Sequence, residues 1–204
     1  MTGAALDPFY PIVDSALWVR RLVGAGAKLV QLRIKHKSEA GVARETREAL
    51  TTCNEAGAVL VVNDFWRVAI GEGAPFVHLG QEDLDTADIS AIRKAGIKLG
   101  VSTHDGAELT RALALAPDYV ALGPIYPTVF KAMVSPPQGL HRVRDWKGRI
   151  GEIPLVAIGG LTVDRGKRCL ASGADIVSVV TDITLNADPE GRAKEWIAAT
   201  RPAT

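Results

Sequence analysis

The feature that most constrains this chain is a repeated junction, a glycine, usually followed by alanine, set just before a short apolar run. It occurs at Gly26-Ala27 before Leu29-Val30, at Gly57-Ala58 before residues 59–62 and at Gly73-Ala74 before Phe76-Val77. It returns at Gly96 before Ile97-Lys98-Leu99 and at Gly173-Ala174 before Ile176, with Ala116-Pro117 before Tyr119-Val120 a weaker copy. Glycine suits the left-handed position that ends a helix, and each apolar run is too short for a helix but right for a strand buried on both faces. The repeating unit therefore reads as helix, glycine stop, strand.

Adding Phe9-Tyr10-Pro11-Ile12-Val13 at the front and Leu155-Val156-Ala157-Ile158 near the end gives eight strands, near 9–13, 28–34, 58–63, 75–79, 97–101, 118–122, 154–158 and 175–180. The segments between them carry helical spacing: Val42, Ala43, Ala49, Leu50 and Cys53 within 39–55, and Leu109 and Leu113 within 107–115, with Ala116 just beyond. Eight strands alternating with helices predict an α/β fold, a single-domain (β/α)8 TIM barrel over residues 1–204 with flexible ends at 1–8 and 201–204. The alternative is an open doubly wound sheet, which the strand count disfavours. At 204 residues the chain is short for the barrel, so its helices must be brief.

Composition narrows the partners. A chain that is 47% apolar and has no Pro/Gly/Ser-rich linker is expected to bury one core. A formal net charge of +1 offers no broad basic field for nucleic acid, so any anion must be gripped locally. No basic segment leads into an apolar run at the front, and no stretch is long enough to cross a bilayer, which predicts a cytoplasmic protein without membrane partners. Cys53 and Cys169 are isolated and lack metal-ligand spacing, so they read as small buried hydrophobes.

The polar residues that break the apolar pattern gather at predicted strand ends. In strand two, Gln31, Arg33 and Lys35 alternate with Leu32 and Ile34 and share one face; in a barrel whose outside is covered by helices, that face needs an anionic or polar partner. Strand three ends in Asn63-Asp64, and strand four is followed by Gly80-Gln81-Glu82-Asp83. Asp64 and Asp83 are thus candidate ligands for one Mg2+, while Asp64 reads equally well as a helix cap. Strand five ends in Ser102-Thr103-His104, where Ser102 or His104 is placed to bond a substrate and Thr103 or His104 to cap the next helix. His78 and His141 carry no spacing signal and read as structural.

Two further stretches complete the rim. Residues 123–139 contain Pro124, Pro127, Pro136 and Pro137 and cannot be regular structure; a loop of that length is usually functional, and Thr128 and Lys131 stand out in it. Residues 153–183 read as strand, Gly159-Gly160 turn, a helix that Thr162 caps, and a second strand. In a barrel the loops after strands seven and eight are the usual phosphate site, although the glycine pair alone is equally consistent with an ordinary βαβ turn.

Taken in order, Gln-Leu-Arg-Ile-Lys at 31–35, Val-Asn-Asp at 62–64, His-Leu-Gly-Gln-Glu-Asp at 78–83, Gly-Val-Ser-Thr-His at 100–104, Gly-Pro-Ile-Tyr-Pro-Thr at 123–128 and Ala-Ile-Gly-Gly-Leu-Thr at 157–162 form a series. This series resembles the thiamine-phosphate synthase family along nearly the whole chain, from about residue 9 to residue 183. The resemblance implies a Mg2+-dependent transferase of thiamine biosynthesis: an aminopyrimidine methyl diphosphate loses pyrophosphate and a thiazole phosphate, or its carboxylate, attacks the released carbon to give thiamine phosphate. It further implies that Gln31, Arg33, Lys35, Asn63, Ser102 and Lys131 hold the diphosphate substrate, with Lys131 and Ser102 acting in catalysis, that Asp64 and Asp83 hold the metal, and that Thr128, Gly160, Val180 and Thr181 hold the thiazole phosphate.

Departures from the family pattern are local. The lid reads Pro127-Thr128-Val129-Phe130-Lys131, with Phe130 where the family usually has a second threonine, Ile34 stands where Glu is common, and the start reads Tyr-Pro-Ile-Val-Asp-Ser. Ile34 points away from the anion face and is expected to matter less. A thiazole tautomerase of similar fold and a non-catalytic precursor-binding barrel are the alternatives; Arg33, Lys35, Asn63, Asp64 and Asp83 together argue against the first.

Overall fold

A computed structural model describes residues 6–128 and 136–201. Eight parallel strands, hydrogen-bonded in sequence order, close into a barrel: β1 (Phe9–Val13), β2 (Leu29–Leu32), β3 (Val59–Asn63), β4 (Phe76–Leu79), β5 (Lys98–Thr103), β6 (Tyr119–Leu122), β7 (Leu155–Ile158) and β8 (Ile176–Val179). Pairing of Phe9 with Val177 and Tyr10 with Ser178 makes the closure. Around the strands lie α1 (Ala16–Gly24), α2 (Glu39–Glu55), α3 (Trp66–Glu72), α4 (Ile89–Lys94), α5 (Gly106–Ala114), α6 (Gly139–Ile150), α7 (Val163–Ala171), α8 (Thr181–Thr184) and α9 (Pro189–Thr200). The closed barrel is the arrangement that the strand count favours over an open sheet.

The junction repeat has the backbone that it predicts. Gly26, Gly57, Gly73, Gly96 and Gly173 all have positive φ, and Ala116, at the weaker copy, is held at φ 48. An alanine there carries the Cβ clash that glycine avoids. Helix starts follow local capping chemistry: Ser38 accepts the Gly41 N–H at the head of α2, and Thr162 accepts the Arg165 N–H at the head of α7.

Two apolar layers explain why the strands read as continuous hydrophobic runs. Alternate residues face opposite sides, so within β3 Val61 fills the barrel interior with Tyr10, Phe76, Tyr119, Val156 and Ile176, while Leu60 and Val62 belong to the layer under the helices. α9, which the sequence patterns did not announce, is fastened by Trp196: its ring stacks on Phe9 at 6.0 Å and its indole N–H donates to Asp182 at 2.8 Å.

The opposite end of the barrel from the candidate residues is stitched for stability. Asp118 and Asp175 accept the backbone N–H groups of Leu99 and Leu155, at 2.8 and 2.7 Å, and pair with Arg93 and Lys147. Asp7 accepts from the Phe9 N–H and from Arg201, so the described parts of both chain ends are tied together; residues 1–5 and 202–204 of the expected flexible ends lie outside the described residues. Among the described residues no helix is long and apolar enough to cross a membrane.

Candidate active site

At the C-terminal ends of the strands lie two cavities. One, of about 180 Å3, is lined by Arg33, Ser102, Thr128, Gly160, Val180 and Thr181 among others. The second, of about 450 Å3, is lined by Ile34, Lys35, Asp64, Trp66 and Asp83 among others. Arg33 and Lys35, two residues apart beyond the end of β2, border one cavity each, so this segment carries side chains of both. Ile34 is buried in the apolar layer under the helices, with Leu32, and also borders the second cavity.

The acidic half is compact. Lys35 Nζ lies 3.1 Å from Asp64 Oδ2, and the Asp83 carboxyl, close enough to feel the Asp64 charge, accepts the Gly80 N–H at 3.0 Å. Burial first, and then the negative charge of Asp64, hold the Asp83 carboxyl above its ordinary pKa. Asp64 is not a helix cap. α3 begins after Phe65 with no side-chain cap, whereas Asp64 adopts φ 63 and donates its backbone N–H to the His78 carbonyl. A non-glycine residue at left-handed φ in a cleft is the kind of strain found at ligand sites. Asn63, beside it, is buried, and its Nδ2 has no hydrogen-bond partner among the described residues.

The other half is built from glycine and loop backbone. The Ile125 and Tyr126 N–H groups donate to the Ile158 and Gly159 carbonyls, docking the proline-rich loop onto the turn after β7. A Cβ on Gly160 would fall 2.4 Å from the Pro127 carbonyl oxygen, so the glycine is needed for that approach as well as for its φ of 65. Arg165 ties the turn to α7 by donating to the Gly160 carbonyl at 2.7 Å. Val180 heads the short helix α8, placing the Val180-Thr181 backbone at the cavity edge. Lys131, with Val129 and Phe130, lies outside the described residues.

Between the halves the barrel interior holds a polar chain. Gln31 Nε2 donates to Tyr10 Oη at 2.8 Å; Tyr10 and Tyr119 hydroxyls are 2.9 Å apart; Tyr119 Oη is 2.8 Å from His78 Nδ1, and His78 Nε2 is 2.8 Å from Ser102 Oγ. Gln31 therefore sits deeper than Arg33 and Lys35 and is 2% exposed, although all three were expected on one anion-facing stripe. His78, which carries no spacing signal, is buried in β4 between Tyr119 and Ser102. Burial lowers its pKa to about 4 against the pull of Asp64, so the imidazole is neutral at pH 7. The helix-cap expectation for Thr103 and His104 is also corrected: Asp105 caps α5, Thr103 is buried between the Ala121 carbonyl and the Trp146 indole, and His104 pairs with Glu108. Cys53 and Cys169 are buried thiols, raised to about 11 and about 12 by desolvation.

A family model described as thiamine monophosphate synthase matches residues 9–183. The chain belongs to the thiamine monophosphate synthase family. Family members similar to it include the thiamine-phosphate synthase of Rhizobium etli, 59% identical over 197 residues and covering 97% of both chains. That of Cronobacter sakazakii is 46% identical over 192 residues, covering 94% of this chain and 88% of the other. Among solved structures, the thiamine phosphate pyrophosphorylase from Pyrococcus furiosus superposes with a TM-score of 0.84 at 26% identity, covering 94% of each chain.

Proposed function

We propose that this member of the family joins an aminopyrimidine methyl diphosphate to a thiazole phosphate, or its carboxylate, giving thiamine phosphate and pyrophosphate. The observation that supports this most is the placement, at the same end of the barrel, of a Lys35-Asp64-Asp83 cluster and a glycine-lined cavity bordered by Arg33. One half suits a metal-associated diphosphate and the other a phosphate monoester. In the reaction the carbon–oxygen bond to the diphosphate breaks with its electron pair leaving on pyrophosphate, and the thiazole nitrogen lone pair forms the new carbon–nitrogen bond.

Arg33, Lys35 and Asn63 hold the diphosphate in this reading, the unpartnered Asn63 amide nitrogen supplying a donor to a phosphate oxygen. Lys131 adds a further cation from the loop. Ser102 contacts the substrate from the end of β5, with Gln31 at the base of the same interior, and Thr128, Gly160, Val180 and Thr181 receive the thiazole phosphate. Catalysis is then orientation plus charge stabilisation of the departing group.

Asp64 and Asp83 fit Mg2+ by donor chemistry, since two carboxylates that repel each other are relieved by a hard cation. Among the described residues no group of three or more metal-ligating side chains gathers, so further ligands would come from water and the diphosphate. Bound Mg2+ would neutralise charge building on pyrophosphate. Two phosphorylated small molecules as substrates accord with a cytoplasmic site of action.

The experiment is purified protein with both precursors and Mg2+, followed for pyrophosphate and thiamine phosphate. Release that requires both precursors supports the proposal. Conversion of the thiazole phosphate alone without metal would mark a tautomerase, and binding without turnover a precursor-binding barrel.

A further inference from the structure

The interior chain has a direction. A tyrosine hydroxyl carries one proton, and Gln31 presents its amide nitrogen, a donor, to Tyr10 Oη. Position alone lets either tyrosine donate to the other, but with Tyr10 already accepting from Gln31 its O–H is the donor left for Tyr119 Oη, and the Tyr119 O–H then donates to His78 Nδ1. An imidazole whose Nδ1 accepts carries its proton on Nε2, which then donates to Ser102 Oγ. The Ser102 hydroxyl proton is left to point into the cavity that Ser102 borders. Were Gln31 to present its oxygen instead, every bond would reverse and Ser102 would offer the cavity only lone pairs.

We infer that His78 is a positioning residue which, through a hydrogen-bond chain oriented by Gln31, holds Ser102 as a hydrogen-bond donor to the substrate. Its ring is fixed by more than the two bonds. It stacks on Tyr119 with centroids 5.6 Å apart and planes 13° from parallel, and the Ser102 carbonyl is held by Gln81 Nε2 at 2.7 Å. The groups joined are far apart in sequence, Tyr10 and Tyr119 by 109 residues, so the chain exists only because the barrel closes. The recipient is an acceptor on the substrate, a phosphate oxygen or a ring nitrogen; this rests on the reaction proposed above, whereas the orientation of the chain does not.

The test is the tautomer of His78 in ligand-free protein, read from long-range 1H–15N correlations of labelled histidine and assigned with a His78→Asn variant. The expected pattern has the proton on Nε2. Gln31→Glu, whose carboxylate accepts from Tyr10, is expected to reverse the chain and move the proton to Nδ1. A proton on Nδ1 in the unaltered protein, or no change in a folded Gln31→Glu variant, overturns the inference. Should Gln31→Glu not fold, kinetics decide it: Tyr119→Phe is expected to lower kcat about tenfold, the loss of roughly one hydrogen bond, with little change in KM. Adding Tyr119→Phe to Ser102→Ala should then cost nothing further, and multiplying losses would overturn the inference. The tautomer needs no substrate, so failure of pyrophosphate release would count against the proposed reaction alone.

Discussion

Gly100→Ala tests whether the interior is packed as described. Gly100 pairs with Tyr119 across β5 and β6, and a Cβ at Gly100 would lie 2.0 Å from Tyr119 Cζ and 2.4 Å from each Cε. Carbon atoms prefer about 3.5–4.0 Å, so the ring must retreat by roughly 1.5 Å. It has no room to do so, being fully buried, and its hydroxyl would leave both Tyr10 and His78. Overpacking costs about 1–3 kcal/mol and two broken hydrogen bonds about 1 kcal/mol each, giving roughly 3–5 kcal/mol. For a chain of this size that is a fall in Tm of roughly 6–20 °C. Thermal and urea unfolding of Gly100→Ala, Tyr119→Ala and the double variant read it directly. With the ring removed, the added methyl should cost almost nothing, so the coupling between the two changes should approach the whole cost of Gly100→Ala. Gly71→Ala on α3, where a Cβ meets nothing within 4 Å, is the control and should be neutral or slightly stabilising. A Gly100→Ala protein within about 1 kcal/mol of the parent, or one equally destabilised without the tyrosine ring, would refute the packing.

Three further outcomes are expected. His78 has its folded pKa lowered to about 4 from 6.5, so its neutral form stabilises the fold above pH 6.5 and that contribution is lost as pH falls; magnesium-free protein should lose roughly 2 kcal/mol between pH 7 and pH 5, a slope that His78→Gln should flatten in urea melts. Asp83 has its folded pKa raised, so its charge opposes folding once pH rises through that pKa; at pH 7 Asp83→Asn should raise the Tm of ligand-free protein by about 1–2 °C while shifting the Mg2+ titration of activity to higher concentration. Ala116→Gly, relieving φ 48, should stabilise by about 0.5–1 kcal/mol in calorimetry, and a loss would show that the left-handed backbone carries no strain.

Much of the fold is legible because one local rule, a left-handed residue before a doubly buried strand, is repeated around the barrel. Helix α2 matches its periodic pattern over Glu39–Glu55, since amphipathic spacing and the Ser38 cap agree. Strand ends shift by a residue or two either way: β5 runs on to Thr103, while β2 stops at Leu32 and leaves Arg33 and Lys35 on the rim. What stayed hidden is contact across the barrel. Alternation says that Tyr10, His78 and Tyr119 sit on strands, not that their polar atoms meet. Asp64 shows the same limit: Asn-Asp before a helix satisfies the capping pattern, and only the φ of 63 and the Lys35 pairing separate a rim carboxylate from a cap.

The most direct measurement is a crystal structure of the protein with pyrophosphate and Mn2+, located by anomalous scattering in place of Mg2+. The cation is expected within about 2.0–2.3 Å of oxygens from both Asp64 and Asp83, with the diphosphate reaching Lys35 and Arg33. A cation bound elsewhere, or a diphosphate held away from these side chains, would contradict the meeting of acidic and basic residues around one leaving group.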